Sequence, residues 1–173
     1  AIDVWHNDVP TGLWGMKYSD EELCEKFRWM LKQPHQTPFE FFHTVWVLKN
    51  VSRAFQQQLT RHRVGFSYSI QSLRVIDVGK FADEGRYHIP STVKNRRAYQ
   101  FQMRCMQNVY KETVKNGDSI EDARGLLPLN IHSTITMSCS YRALLGLMRQ
   151  RMCCAAQGEW REVIKQMRRE ISL

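Results

Sequence analysis

The chain has 173 residues, of which 43% are hydrophobic and 11% aromatic, enough for the core of one compact domain or one protomer of an oligomer. No apolar run approaches the roughly 18–20 residues that cross a bilayer, and Asp3, His6 and Asp8 interrupt any apolar start. We therefore expect no membrane span, no secretory signal and a cytoplasmic location, in the host cytoplasm if the protein is viral. The net charge of +8 favours an anionic partner, either a nucleic acid or a phosphorylated small molecule.

The cysteine content argues against disulfides and metal binding. Five cysteines are present, an odd number, and no pair has Cys-x-x-Cys spacing. We therefore predict no metal site and reduced, mostly buried thiols. The five are Cys24, Cys105, Cys139, Cys153 and Cys154.

The first predicted helix follows an irregular segment, residues 1–18. Ser19 precedes Glu22 at the spacing of a capping box, in which each residue's side chain binds the other's backbone N–H. An apolar stripe then continues to Gln33, and Pro34 ends the helix because it lacks an N–H group.

The next segments alternate between predicted strands and a short helix. Residues 39–48 are rich in aromatic and β-branched residues and predict a mostly buried strand. Residues 51–60 predict a short helix that ends next to Arg61. Residues 67–78 alternate weakly and predict a second strand, and residues 79–90 predict a loop.

The C-terminal half is predicted to be mainly helical. Ser91 is expected to begin the longest helix, which ends at Lys115 before Asn116-Gly117. Further predicted elements are a short helix from Ser119 to Pro128, a strand at 131–138, and helices at 140–152 and 156–171. The prediction is a single α+β domain covering residues 1–173, with long helices packed on a small mixed or antiparallel sheet.

A basic, hydroxyl-rich segment is the densest candidate for chemistry. Arg61-His62-Arg63 is followed by Gln71, Ser72 and a further cation, Arg74. Arginines bind phosphate groups, and Ser and Gln side chains can recognise the edges of a heterocycle. The alternative is a solvated basic turn, which charge alone favours because runs of charge usually face water.

Six colinear segments form a spaced pattern along the chain. They are His35 to Glu40, Arg61-His62-Arg63 with Ser72-Leu73-Arg74, Ala123 to Pro128, Ser140 to Arg142, Arg151, and Ala156 to Glu159. In order and spacing these segments resemble the flavin-dependent thymidylate synthase family. In this family the active sites form between the subunits of a homotetramer. The resemblance therefore implies a homotetramer with shared sites.

The resemblance also implies roles for individual residues. The side chains implied to bind deoxyuridylate (dUMP) are Gln58, Arg61, Gln71, Ser72, Arg74, Arg124 and Arg151. Those implied to contact FAD are His35, Thr37, Arg61, His62, Arg63, Ser140, Arg142 and Gln157. Arg151 is the implied catalytic residue, because a guanidinium beside the pyrimidine favours the ionised ring and makes C5 a better nucleophile.

The implied reaction is the reductive methylation of dUMP to dTMP. Methylenetetrahydrofolate is the folate co-substrate that would supply the carbon, and NADPH would reduce FAD. In such enzymes the cofactors carry the chemistry, and the protein orients and polarises the reactants.

Several positions depart from the family pattern. The loop of the Arg-His-Arg signature is one residue longer, and Ile70, Val75, Ser140 and Gly146 replace an acid, a Tyr and two Asn residues. These departures motivate an alternative, a divergent relative that makes another 5-substituted pyrimidine nucleotide such as a hydroxymethyl product. A second alternative is a basic nucleic-acid-binding protein without catalysis, which is disfavoured because no helix has a one-sided basic face.

Overall fold

A three-stranded antiparallel sheet forms the centre of the fold. The computed structural model describes residues 18–76 and 78–171, so the predicted irregular segment lies almost entirely outside the described residues. The strands are β1 (His43–Ser52), β2 (Phe66–Ile70) and β3 (His132–Ser140), in the order β1-β3-β2. β3 pairs with both neighbours in antiparallel register. The predicted α+β class with a small antiparallel sheet is confirmed.

Six α-helices and two 3₁₀ turns are found in the described part of the chain. The helices are α1 (Asp20–Lys32), α2 (Arg53–Leu59), α3 (Arg96–Lys115), α4 (Ile120–Ala123), α5 (Tyr141–Arg151) and α6 (Gly158–Glu170), and the 3₁₀ turns are Thr37–Glu40 and Arg124–Leu126. None of the helices in these described residues is long and apolar enough to cross a membrane.

Helix boundaries follow the side chains that cap them. The capping box at α1 is confirmed, with the Glu22 amide donating to Ser19 Oγ at 3.3 Å and the Ser19 amide donating to Glu22 Oε2 at 2.8 Å. The predicted start of α3 at Ser91 is wrong, because Asn95 caps that helix by accepting from the Ala98 amide at 3.0 Å. Gly117, with φ of 101°, follows its C-cap as predicted.

Two of the three predicted strand ranges need a substantial correction. The first strand begins at His43 rather than Phe39, because residues 37–40 form a 3₁₀ turn in which Phe39 is fully buried. β1 is not mostly buried: Val45 is 69% exposed and Val47 is 54% exposed, so one face of the sheet is open in the protomer. The second strand ends at Ile70 instead of residue 78, because a turn begins at Ser72.

The buried side chains form two clusters. The first lies between the sheet and helices α2, α5 and α6, and its centre includes Phe55, Met137 and Trp160. The second lies under α3 and includes Phe81 and Tyr110. The first cluster packs the helices that carry the predicted site residues against the sheet.

The cysteines are free, but the prediction that most are buried is wrong. Cys139 on β3 is buried and Cys24 is intermediate, whereas the other three are exposed. Cys105 lies on the outer side of α3, and Cys153 and Cys154 lie in the turn between α5 and α6. Within the described ranges, no group of three or more His, Cys, Asp or Glu residues could hold a metal ion.

Candidate functional site

A buried carboxylate, Glu159, fixes the start of α2, the helix that ends just before the Arg61-His62-Arg63 segment. Glu159 at the start of α6 is 7% exposed and accepts from the Ser52 amide at 2.7 Å and from Ser52 Oγ at 2.6 Å. Ser52 Oγ in turn accepts from the Phe55 amide at 3.0 Å and caps α2. Glu159 thus ties the junction of β1 and α2 to the C-terminal helix, across 107 positions of sequence.

The central His of the Arg-His-Arg segment meets Arg151. Nε and Nη2 of Arg151 lie 3.2 Å and 2.9 Å from Nε2 of His62. The Arg151 guanidinium also lies 4.6 Å from the centroid of the buried Trp160 ring. Burial and, second, the charge of Arg151 lower the pKa of His62. His62 is therefore a neutral acceptor that holds Arg151 at the end of α5.

Two further contacts hold the same region. Gln58 Nε2 donates to Gln157 Oε1 at 2.7 Å, which joins α2 to the residue that precedes α6. The Tyr68 hydroxyl donates to the carbonyl oxygens of Leu59 and His62 at 2.9 Å and 2.7 Å. Burial, with a smaller effect of Cys139, raises the pKa of Tyr68 to about 12, so the hydroxyl stays protonated and keeps both bonds.

A cavity at the end of β2, here called the β2 cavity, brings together three of the predicted nucleotide-binding residues. Its volume is about 270 Å³, and it is lined by Arg53, Gln56, Ile70, Gln71, Ser72, Leu73, Arg124 and Ser133. Gln71, Ser72 and Arg124 are the predicted members. The lining contains two guanidinium groups and no carboxylate, which is the composition of an anion-binding site.

Glu121 links the cavity to Arg74. Its carboxylate lies 2.7 Å from Nη2 of Arg74 and 3.8 Å from Nη2 of Arg124. Nε of Arg124 also donates to the backbone oxygen of Glu121 at 3.0 Å. All three side chains are at least one-third exposed, so these ion pairs add little stability, but they place the two arginines side by side.

A second cavity, here called the Gly65 cavity, contains two of the predicted FAD-binding residues. Its volume is about 590 Å³, and it is lined by Glu40, His43, Val64, Gly65, Ser140, Arg142 and Ala143. Ser140 Oγ caps α5 by accepting from the Ala143 amide at 3.2 Å, and Arg142 donates to Glu40. Gly65 has φ of 75°, and a Cβ atom there would lie 2.9 Å from that of Ala143. The space is therefore kept open by glycine.

Comparison with known proteins identifies the family of the chain. The family model described as Thymidylate synthase complementing protein matches residues 15–172. The chain belongs to this family. It is similar to the flavin-dependent thymidylate synthases of Pyrococcus abyssi, with 31% identity over 160 residues, and Thermococcus onnurineus, with 33% identity over 142 residues. These matches include 90% and 80% of this chain but only 65% and 58% of those proteins.

A solved structure shows the same fold. Thymidylate synthase X from Helicobacter pylori, determined with FAD and dUMP, has a TM-score of 0.76 and 17% sequence identity. The match covers 99% of this chain and 89% of that one. The fold of the thymidylate synthase complementing protein family is therefore present over the length that the structure describes.

Each of the three cavities described among residues 18–76 and 78–171 is lined by a different subset of the predicted site residues of this family member. Gln58, Arg61 and Arg151 do not line the β2 cavity. Arg74 does not line it either, but its partner Glu121 also pairs with the lining residue Arg124. Among the predicted FAD contacts, His35, Thr37, Arg61 and Arg63 are exposed, and His62 bonds Arg151. Gln157 lines a third cavity, of about 600 Å³, beside residues 88–92.

Sequence reasoning missed the residues whose roles depend on long-range contacts. Arg53, Gln56 and Ser133 line the β2 cavity, Glu121 pairs with both arginines, and Glu159 binds Ser52. Glu159 belongs to the Ala156 to Glu159 segment of the family resemblance, so the sequence indicated its position but not its contact with Ser52. Nothing in the run Gln56-Gln57-Gln58 indicates which side chain faces the cavity, because all three residues are the same type.

Proposed function

We propose that this chain is a flavin-dependent thymidylate synthase, which converts dUMP to dTMP with methylenetetrahydrofolate, FAD and NADPH. The observation that carries the proposal is the β2 cavity, where Gln71, Ser72 and Arg124 meet in a lining that contains no carboxylate. These are the residues that the family resemblance assigns to the nucleotide. The relatives' names and the ligands of the Helicobacter pylori structure support the same substrate and cofactor.

The β2 cavity would bind the phosphate of dUMP. Arg124 provides a planar guanidinium that can bind two phosphate oxygens, and Ser72 provides a hydroxyl donor. Arg74 lies beside Arg124 through their shared carboxylate, Glu121. Because that carboxylate is exposed, a phosphate can take its place as the partner of either arginine at little cost in stability.

Arg151 would act on the pyrimidine ring. Its guanidinium is held by the neutral His62 and the Trp160 ring, so its orientation is fixed before substrate binds. A fixed cation beside the ring carbonyl stabilises the ring after N3 loses its proton, and this raises the electron density at C5. Arg151 thus favours attack by C5 on the one-carbon unit without donating or accepting a proton itself.

The Gly65 cavity would hold a part of FAD. Its volume of about 590 Å³ lies within the roughly 300–1,000 Å³ of cofactor pockets. Arg142 would offer a charged donor for a diphosphate once it exchanges its exposed partner Glu40, which lines the same cavity, for the cofactor. The chemistry that FAD supplies when bound is the hydride that turns the transferred methylene carbon into a methyl group. His35, Thr37, Arg61, His62, Arg63 and Gln157 would contact FAD from outside this cavity, and Ser140 would do so while capping α5.

We propose a homotetramer in which each active site combines residues of different subunits. The β2 cavity of one protomer would face Gln58, Arg61 and Arg151 of another, which explains why one protomer does not bring the set together. Co-expression of Arg124→Ala and Arg151→Ala tests this. Random mixing would give about one-quarter of the sites the wild-type KM for dUMP in a tetramer with shared sites, whereas sites within one protomer would leave no site with that KM.

A second candidate function is synthesis of a different 5-substituted pyrimidine nucleotide, such as a hydroxymethyl product. The observation that favours it is Ile70, which lines the β2 cavity where the family pattern has an acid. Ile cannot accept a hydrogen bond, so the substrate contacts there differ from the family pattern.

Anaerobic turnover distinguishes the two candidates. The purified protein is mixed with FAD, NADPH, methylenetetrahydrofolate and dUMP, and the nucleotide products are resolved by mass. We expect a product whose mass exceeds that of dUMP by the difference between a methyl group and the hydrogen it replaces. A yellow protein that binds dUMP but forms no methylated product would favour the second candidate, and a protein that binds neither FAD nor dUMP would refute both.

A further inference from the structure

Gln56 lines the β2 cavity and has an unused hydrogen-bond donor. The residue is 4% exposed, so the wall of the cavity includes a polar side chain that is almost fully buried. Its Nε2 atom finds no hydrogen-bond partner in the described ranges, 18–76 and 78–171. A buried donor without a partner destabilises the folded protein, and such groups usually have a partner in the functional state.

A second buried glutamine shows the contrast. Gln107 on α3 is 1% exposed, and its Nε2 donates to Asp83 Oδ2 at 2.7 Å. Its Oε1 accepts from the amides of Ala82 and Asp83 at 2.8 Å and 3.2 Å. Both polar atoms of the Gln107 carboxamide thus have hydrogen-bond partners, whereas Nε2 of Gln56 has none among the described residues.

The charge around Gln56 defines what could bind there. Arg53 lies one turn earlier on the chain, lines the same cavity and forms no ion pair with any residue that the structure describes. With Arg124, it gives the wall two guanidinium groups and no carboxylate. A ligand group with negative charge and several acceptor oxygens would satisfy both cations and the Gln56 amide, and a phosphate has both properties.

We propose that Gln56 is a further nucleotide-binding residue, which donates a hydrogen bond from Nε2 to a phosphate oxygen of the pyrimidine nucleotide, with Arg53 as a second cation beside it. This inference rests on the proposed function, since it places the phosphate in the β2 cavity. It adds two side chains to the Gln71, Ser72 and Arg124 set, and makes the phosphate the most strongly recognised part of the substrate.

Gln56→Met and Gln107→Met form a matched pair for the test. Methionine keeps the length of each side chain and removes the amide. Gln56→Met is expected to weaken dUMP binding about tenfold or more, because hydrogen bonds to charged groups are among the strong ones. It should leave the melting temperature of the ligand-free protein unchanged or raised, because it removes an unsatisfied buried donor. Gln107→Met should lower the melting temperature and leave dUMP affinity unchanged.

The measurements are calorimetric titration of the assembled protein with dUMP and with deoxyuridine, and thermal unfolding without ligand. If Gln56 contacts the phosphate, Gln56→Met reduces the preference for dUMP over deoxyuridine. Gln56→Glu is a second variant of the same size, in which an acceptor replaces the donor. It should lose more dUMP affinity than Gln56→Met, because the carboxylate repels the phosphate.

Arg124→Ala separates a failure of this inference from a failure of the proposed function. If wild type binds dUMP, Arg124→Ala weakens binding and Gln56→Met binds like wild type, the role of Gln56 is refuted and the proposed site stands. A lower melting temperature for Gln56→Met with unchanged affinity would likewise refute it, since Gln56 would then have a structural partner. If wild type does not bind dUMP, the proposed function fails, and this inference fails with it.

Discussion

The contact between Glu159 and Ser52 predicts a large effect on stability from one substitution. Glu159→Ala removes two hydrogen bonds to a buried carboxylate, of 2.7 Å and 2.6 Å, and leaves the Ser52 amide without that partner. Bonds to charged groups contribute about 1.5–3 kcal/mol each. Because the two bonds share one carboxylate and are not additive, we expect a loss of about 3 kcal/mol.

The assay is thermal unfolding of the purified protein. For a chain of this size, 1 kcal/mol shifts the melting temperature by roughly 2–4 °C, so Glu159→Ala should melt about 6–12 °C lower than wild type. Glu162→Ala is the matched control, because Glu162 is exposed on the same helix and such changes stay within about 0.5 kcal/mol.

A double-mutant cycle tests the reasoning directly. Ser52→Ala removes the hydroxyl that contacts Glu159 and caps α2, so Ser52→Ala and Glu159→Ala should be coupled by about 1 kcal/mol or more. Nucleotide affinity should also fall in Glu159→Ala, because α2 carries Gln58. A melting temperature for Glu159→Ala equal to that of Glu162→Ala would refute the structural role of the carboxylate.

Three further predictions concern the candidate site. Arg151→Ala should abolish turnover while the protein stays folded and yellow, and full activity in that variant would contradict its assignment. Arg124→Ala should raise the KM for dUMP at least tenfold, since a charge-assisted pair contributes about 1.5–3 kcal/mol, whereas Arg149→Ala, an exposed change, should not. Burial lowers the pKa of His62 and His132, so the unfolded chain binds protons first as pH falls below about 6.5. The free energy of unfolding, measured with urea, should therefore be at its full value above pH 6.5 and decrease as pH falls through the lowered pKa values. His62→Gln should reduce the slope of that free energy against pH. An unchanged slope would contradict the role of His62.

Helix ends could be predicted from the sequence because their causes are local. The capping pair Ser19 and Glu22 and the serine caps at 119 and 140 bind backbone amides within three residues. Gly117 ends α3 through its own backbone conformation. The error at Ser91 is instructive, because Asn95 offers an equally good cap four residues later, and capping preference alone does not choose between them.

Strand limits and site contacts could not be predicted because their causes lie far away in the chain. The length of β2 depends on its pairing with β3, which begins 62 residues after Ile70. The exposure of Val45 and Val47 depends on whether another layer covers that face of the sheet, and their β-branched chemistry suits either outcome. The same reason applies to Gln56, whose burial is set by the packing of α2 on the first core cluster.

The division of the predicted nucleotide set follows from what each part can do. The β2 cavity has cations and neutral donors suited to a phosphate, but it contains neither His62 nor Arg151. The end of α5 holds Arg151 against His62 and Trp160. Each part has a role in the proposed homotetramer: the β2 cavity would bind the phosphate, and Arg151, held by His62 and Trp160, would meet the pyrimidine. In that proposal assembly completes the site, because one subunit would supply the cavity and another would supply Arg151.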